Sequence, residues 1–118
     1  MINVIDHGTG NLASINNFLE RVNAKHQLAS EPKSLDEASH IIIPGVGHFE
    51  SAIIKLKEKE LDKAIINAAG RGIPILGICL GMQILYEYLE EGGSSIEGLG
   101  LLKGKVKLLN TKQNPSPH

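Results

Sequence analysis

Hydrophobic and polar positions alternate in blocks along this chain, and the blocks switch period. Ile2 to Ile5 is a short apolar-rich run that ends at Asp6, followed by the glycine turn His7-Gly8-Thr9-Gly10-Asn11. Leu12, Ile15, Leu19 and Val22, with Phe18 beside them, recur at helical spacing and predict a helix of about three turns capped near Asn11. His26 to Ala29 is a weaker strand. In the turn Glu31-Pro32-Lys33-Ser34, Ser34 is placed to cap a short helix through Leu35 and Ala38. His40-Ile41-Ile42-Ile43 lacks polar alternation, as a strand buried on both faces would. Pro44-Gly45-Val46-Gly47 ends it. Helices follow from Phe49 to Leu56 and from about Glu60 to Ala69, the second stopped by Gly70-Arg71-Gly72.

Pro74-Ile75-Leu76 predicts another buried strand, and Ile84 to Glu90 has helical composition and spacing. Between them lies Gly77-Ile78-Cys79-Leu80-Gly81-Met82-Gln83. Glu91 to Ser95 breaks that helix, and Val106 to Leu109 predicts a last strand. Positions 110–118 contain no apolar residue and are expected to form a loop or disordered tail. Strand and helix alternating in this way predict one domain over 1–109 of the α/β class. It would be a mostly parallel open sheet with helices on both faces, joined by right-handed crossovers. Ligands of such sheets sit at the carboxyl ends of strands, where the three glycine turns fall.

Composition narrows the class further. Aromatics are 3% with no Trp, so the core must be aliphatic. A net charge of −1 gives no reason to expect nucleic acid or an anionic membrane as partner. One cysteine excludes an internal disulfide and favours a reducing, cytoplasmic setting. The amino-terminal residues carry no basic region or long apolar run, so they read as a strand and not as a signal peptide.

The chemistry concentrates on Cys79. A strand that turns sharply into a helix, with glycine two residues to either side, pushes one side chain out at the top of the bend. That is a nucleophile elbow with Cys in place of Ser. The N–H groups of a helix start favour negative charge beside it. A lone cysteine in apolar surroundings is commonly just a small buried hydrophobe, and only the glycines and the strand-to-helix switch favour the nucleophile. Acyl chemistry also needs donors for a developing oxyanion. The Val46 N–H, between two glycines, and the Leu80 N–H, next after the nucleophile, are the candidates. Gly8-Thr9-Gly10-Asn11-Leu12-Ala13 fits a weak dinucleotide fingerprint, with Glu31 as a possible ribose acid, but a tight turn needs the same residues. The five His residues show no metal-ligand spacing, so neither metal nor cofactor is expected. Glu90 and Glu91 suit either a solvated helix end or a grip on an ammonium group.

Gly77 to Gln83 resembles the nucleophile motif of class I, triad-type glutamine amidotransferases, which have a flavodoxin-like sheet. Together with Asp6 to Leu12, Pro44 to Phe49 and Gly98 to Gly104, the chain is similar throughout to the family of glutaminase subunits of imidazole glycerol phosphate synthase, of histidine biosynthesis. The resemblance implies that Cys79 attacks the carboxamide of glutamine, forms a glutamyl thioester and releases ammonia. It implies oxyanion donors at Val46 and Leu80, and glutamine contacts at Gly47, Gln83 and Glu91. Asn11 would lie near the interface with a (βα)8-barrel synthase (cyclase) subunit, the heterodimer partner that receives the ammonia. His7 stands where the family more often has Tyr. The family's catalytic His and Glu lie beyond position 118, so this chain alone is expected to be inactive or nearly so, with sheet edge and apolar faces exposed. A paralogue that feeds ammonia to surface-sugar amidation, or a non-catalytic scaffold of the same fold, would carry similar residues.

Overall fold

A computed structural model describes residues 1–8, 12–91 and 93–107. The order of elements is β1 (Ile2–Ile5), α1 (Leu12–Arg21), β2 (His26–Ala29), a 3-10 turn (Pro32–Leu35), β3 (His40–Ile43), α2 (Phe49–Glu58), α3 (Leu61–Gly70), β4 (Ile75–Gly77), α4 (Leu80–Gln83), β5 (Tyr86–Glu91), β6 (Ser94–Glu97) and β7 (Leu102–Lys107). β1 to β4 form a parallel sheet in the order β2-β1-β3-β4. This is the mostly parallel open sheet with helices that the alternating pattern predicts.

The chain steps from β1 outward to β2, then returns past β1 to β3 and on to β4. The two directions of travel make right-handed crossovers place α1 on one face and the α2–α3 pair on the other. Ile5, Ala29, Ile41 and Ile43 share one face and join one core with Leu35, Phe49, Leu56, Leu61 and Ile65, all of them buried. The opposite face is thinly covered. Val4 and Leu19 are buried there, but Leu28 and Leu76, in register with Val4 and Ile42, are 44% and 56% exposed. No helix among the described residues is long and apolar enough to cross a membrane.

Three expectations need correction. The short helix is a 3-10 turn that starts at Pro32, with Glu31 and not Ser34 at its cap position. Proline at a first helical position has the required φ already and no N–H to leave orphaned, so it sets the boundary. The elbow helix is one turn, and Tyr86 to Glu91 is a strand. The carbonyls of Ile84, Leu85, Tyr86 and Glu87 accept from amides of 98–102 instead of from amides four residues on. β5 lies between β6, antiparallel, and β7, parallel, in a second sheet. The last described strand, Leu102–Lys107, starts before the expected Val106, and Leu108 and Leu109 of that expectation lie outside the described residues. The expected cap at Asn11 and the tail at 110–118 lie outside the described residues.

Candidate active site around Cys79

The breakpoint of strand order lies between β1 and β3, and the site is built at the carboxyl ends of β1, β3 and β4. Each loop there has a local reason for its shape. Gly8 N donates to Asp6 Oδ1 at 3.1 Å, a short Asx turn, and Lys59 Nζ donates to the Asp6 carbonyl at 2.9 Å. The exit from β1 is therefore pinned by its own aspartate and by the end of α2. Gly8, the first glycine of the weak dinucleotide pattern, thus serves a turn, and Thr9, Gly10 and Asn11 lie outside the described residues.

At the exit from β4 the backbone folds back on β3. Ile78 N donates to Ile43 O at 2.9 Å, continuing the ladder by one residue. Gly81 then crosses directly over β3. A Cβ there would stand 1.7 Å from the Ile43 carbonyl oxygen, and a Cβ at Gly77 would stand 2.6 Å from the Gly81 oxygen and the Met82 Cα. Both glycines are required by close approach. The bend leaves Cys79 at φ 55° and ψ −118°. Among the described residues only Asn23 and Glu60 share its positive φ without being glycine. Glu60 sits in the ordinary left-handed well; Cys79 does not. Backbone strain of this kind is of order 1–3 kcal/mol and persists only where surrounding contacts over-determine it. The Cys79 side chain is exposed. Its thiol is presented to solvent, the first requirement of the elbow reading.

The electrostatic help expected from the helix start shrinks, because α4 has four residues. Its first amides are also engaged. Gly81 N donates to Ile78 O at 2.9 Å, and Leu80 N donates to Gly45 O at 3.1 Å. The second bond matters most. The two expected oxyanion donors are brought to the same place, but Leu80's N–H is occupied by the carbonyl of the peptide whose N–H belongs to Val46. That peptide is trans, so its N–H points opposite to its C=O and away from Leu80 N–H. Val46 itself is 60% exposed.

Beyond the loop lies an open cleft of about 440 Å³, lined by Gly47, His48, Glu50, Ser51, Gln83 and Leu89 among others. It therefore unites two of the three residues expected to hold glutamine, Gly47 and Gln83. The third, Glu91, ends β5 opposite Ser94. Leu89 pairs across strands with Ile96, which also lines the cleft. Asn11 lies outside the described residues. Glu90 is neither a helix end nor a free carboxylate: it pairs with Lys105 Nζ at 2.6 Å across β5 and β7. One residue of the site region carried no functional signal beyond its position at a strand end. His7 is fully buried, and its Nε2 lies 2.6 Å from the Pro44 carbonyl oxygen.

An exposed cysteine thus sits on a strained strand-to-helix bend, next to Leu80, whose N–H bonds the glycine loop, the arrangement expected of the amidotransferase motif. In agreement, residues 10–116 match the family model of the CobB/CobQ-like glutamine amidotransferase domain, and the chain belongs to that glutamine amidotransferase family. More particularly, it is 53% identical over 106 residues to imidazole glycerol phosphate synthase subunit HisH of Bacillus licheniformis. That match covers 90% of this chain and 50% of the relative. It is 46% identical over 112 residues to HisH of Bacillus subtilis, covering 95% and 52%. The chain thus spans about half the length of these curated relatives. A crystal structure of a glutamine amidotransferase superposes with a TM-score of 0.77 at 18% identity over 90% of this chain and 55% of that one, a likeness of fold.

Proposed function

We propose that this chain carries the nucleophile and oxyanion half of a glutaminase that supplies ammonia to an imidazole glycerol phosphate synthase. The observation that carries the reading is Cys79, exposed at φ 55° on a bend that Gly81 locks against β3, next in the chain to Leu80, whose N–H bonds the Gly45 carbonyl. Glutamine would lie in the cleft against Gly47 and Gln83, with its carboxamide at Cys79, and the resemblance adds Glu91 as a further contact. Sγ attacks the carboxamide carbon, and the carbonyl oxygen becomes an oxyanion. Collapse breaks the C–N bond, and the nitrogen leaves as ammonia after gaining a proton. Water then cleaves the glutamyl thioester to glutamate and restores the thiol.

Stabilising that oxyanion requires two donors at once. Rotation of the Gly45–Val46 peptide supports both needs in one motion. It withdraws the Gly45 carbonyl from Leu80 N–H and turns Val46 N–H towards the position the carbonyl leaves. Ammonia would pass to a (βα)8-barrel synthase subunit bound as a heterodimer partner, in a compartment that keeps Cys79 reduced. Proton transfer needs an acid–base group at the sulfur. Among the described histidines His7 is committed to the Pro44 carbonyl, and His48 stands exposed at the start of α2. The resemblance assigns the acid–base His to neither position, so the 118-residue chain alone is expected to turn over glutamine slowly or not at all.

The test is covalent labelling of Cys79 by a diazoketone analogue of glutamine. Saturable labelling, slowed by added glutamine and faster than that of a free thiol, supports the reading. Labelling at the rate of a free thiol refutes it and leaves a scaffold of the same fold. Co-purification with a barrel synthase, as against a surface-sugar amidating enzyme, separates the two possible ammonia acceptors.

A further inference from the structure

The sequence places a histidine at position 7 with no partner legible nearby, yet the fold buries it completely against the base of the loop that carries Val46. The Pro44 carbonyl oxygen can only accept, so the 2.6 Å contact requires His7 Nε2 to carry the hydrogen. The contact crosses the crevice between β1 and β3 and joins residues 37 positions apart. The same ring defines the next residue. A Cβ at Gly45 would stand 2.9 Å from His7 Nε2 and 3.0 Å from Cε1. His7 thus holds the peptide before Gly45 by a hydrogen bond and fills the space beside Gly45 with its ring. Leu80 Cβ stands 3.3 Å from the same Cβ position. The peptide that must rotate, Gly45–Val46, begins at a residue clamped between His7 and the elbow.

We propose that His7 is a positioning residue for the oxyanion loop. It fixes the Pro44–Gly45 peptide, so that turning the next peptide delivers Val46 N–H to one place and not to a range of places. This rests on the proposed glutaminase reading and assigns that site an anchor. The residue touches neither nucleophile nor substrate in this scheme. Its effect is on the rate of bond formation at Cys79, not on how well the cleft holds the ligand.

The experiment compares His7→Phe, which keeps ring volume and removes the donor, with His7→Gln, whose amide nitrogen reaches for the same carbonyl. Cys79 in the whole chain is labelled with the diazoketone analogue over a range of concentrations, and separately with iodoacetamide, which needs no oxyanion hole. A misplacement of this size is expected to lower the maximal labelling rate of His7→Phe by roughly tenfold or more. The half-saturating concentration and the iodoacetamide rate should stay near wild type, and His7→Gln should recover most of the loss. Wild-type maximal labelling in His7→Phe overturns the proposal. So does a His7→Gln chain as slow as His7→Phe with its iodoacetamide rate unchanged. Should His7→Phe fail to fold, His7→Gln alone decides: near-wild-type labelling supports the anchor and a large loss overturns it. Wild-type chain that shows no saturable labelling removes the glutaminase reading instead. The anchor is then judged by NMR of the imidazole nitrogens. Hydrogen on Nε2, with shift changes in the substituted chain centred on Gly45, Val46 and Gly47, upholds it, and hydrogen on Nδ1 alone overturns it.

Discussion

Two glycine turns face each other across this site, and they use glycine for opposite reasons. In the elbow, Gly77 and Gly81 have no room: added Cβ atoms would fall 2.6 Å and 1.7 Å from backbone oxygens. In the loop after β3, Gly47 has φ +108° and nothing within 4 Å of an added Cβ. The elbow is held by backbone packed on backbone, which makes it a fixed platform for Cys79. The loop is held by hydrogen bonds at its base and is otherwise open, which suits a peptide that must change orientation. On the proposed glutaminase reading, rigidity and motion are divided between neighbouring turns, the elbow fixing Cys79 and the loop leaving Val46 N–H able to turn.

The widest separation between the two turns should come from alanine at Gly81 and at Gly47. At Gly81 the Ile43 carbonyl cannot retreat without breaking its bond from Ile78 N. Overpacking against backbone predicts a loss of roughly 3 kcal/mol or more, or failure to fold, read by urea denaturation. At Gly47 only φ strain opposes the methyl group, so a loss of about 1 kcal/mol is expected. Equal losses at the two positions would erase the proposed distinction.

Gly45 lies between these extremes, since its neighbour is a side chain rather than backbone. Gly45→Ala pushes on the His7 ring, which is buried and hydrogen-bonded, and should cost about 2 kcal/mol. Combining Gly45→Ala with a smaller residue at position 7 should recover part of that loss, because the two changes share one contact. Strictly additive losses in the double variant would show that the clash lies elsewhere.

The strain at Cys79 gives a finer measurement of how firmly the elbow is held. Cys79→Ala removes the thiol and keeps the unfavourable φ, whereas Cys79→Gly removes both. The glycine variant should be about 1 kcal/mol more stable than the alanine variant, despite glycine's usual entropy cost. Neither should be labelled. A glycine variant less stable than alanine would mean the bend stores no strain.

Parts of this arrangement were legible in the sequence because they have side-chain signatures. Glycine two residues to either side of Cys79 announced close backbone approach, and three consecutive isoleucines announced a strand, although only Ile41 and Ile43 are fully buried and the face of Ile42 is thinly covered. β5 was hidden because Ile84, Leu85, Tyr88 and Leu89 satisfy helical spacing, and local pattern lost to pairing with a distant segment. Gly98 was the overlooked signal: a Cβ there would stand 2.3 Å from the Tyr86 carbonyl oxygen. The engagement of Leu80 N–H by the Gly45 carbonyl had no signature at all, since a peptide's orientation is not written in residue types. The anchoring proposed for His7 was equally silent, because the Pro44 carbonyl it meets lies 37 residues away.

The smallest effect belongs to the Glu90–Lys105 pair, which serves as a control remote from both glycine turns. The two side chains are 36% and 40% exposed and 2.6 Å apart. The hydrogen bond from Lys105, and then its charge, hold the Glu90 carboxyl below its usual range, and Glu90 raises Lys105 in return. The signs set the window. A lowered carboxyl stabilises the fold above the ordinary carboxylate range, and that gain fades as pH falls through the lower folded value. A raised lysine stabilises below its ordinary range, and that gain fades as pH climbs through the higher folded value. Between those limits Glu90→Gln should lower Tm slightly in dilute buffer. The difference should vanish in acid and shrink in about 1 M salt, where the screening length falls to roughly 3 Å. Labelling of Cys79 should not change. A changed labelling rate would mean that the second sheet transmits to the elbow, and that the site's rigidity is not the property of the bend alone.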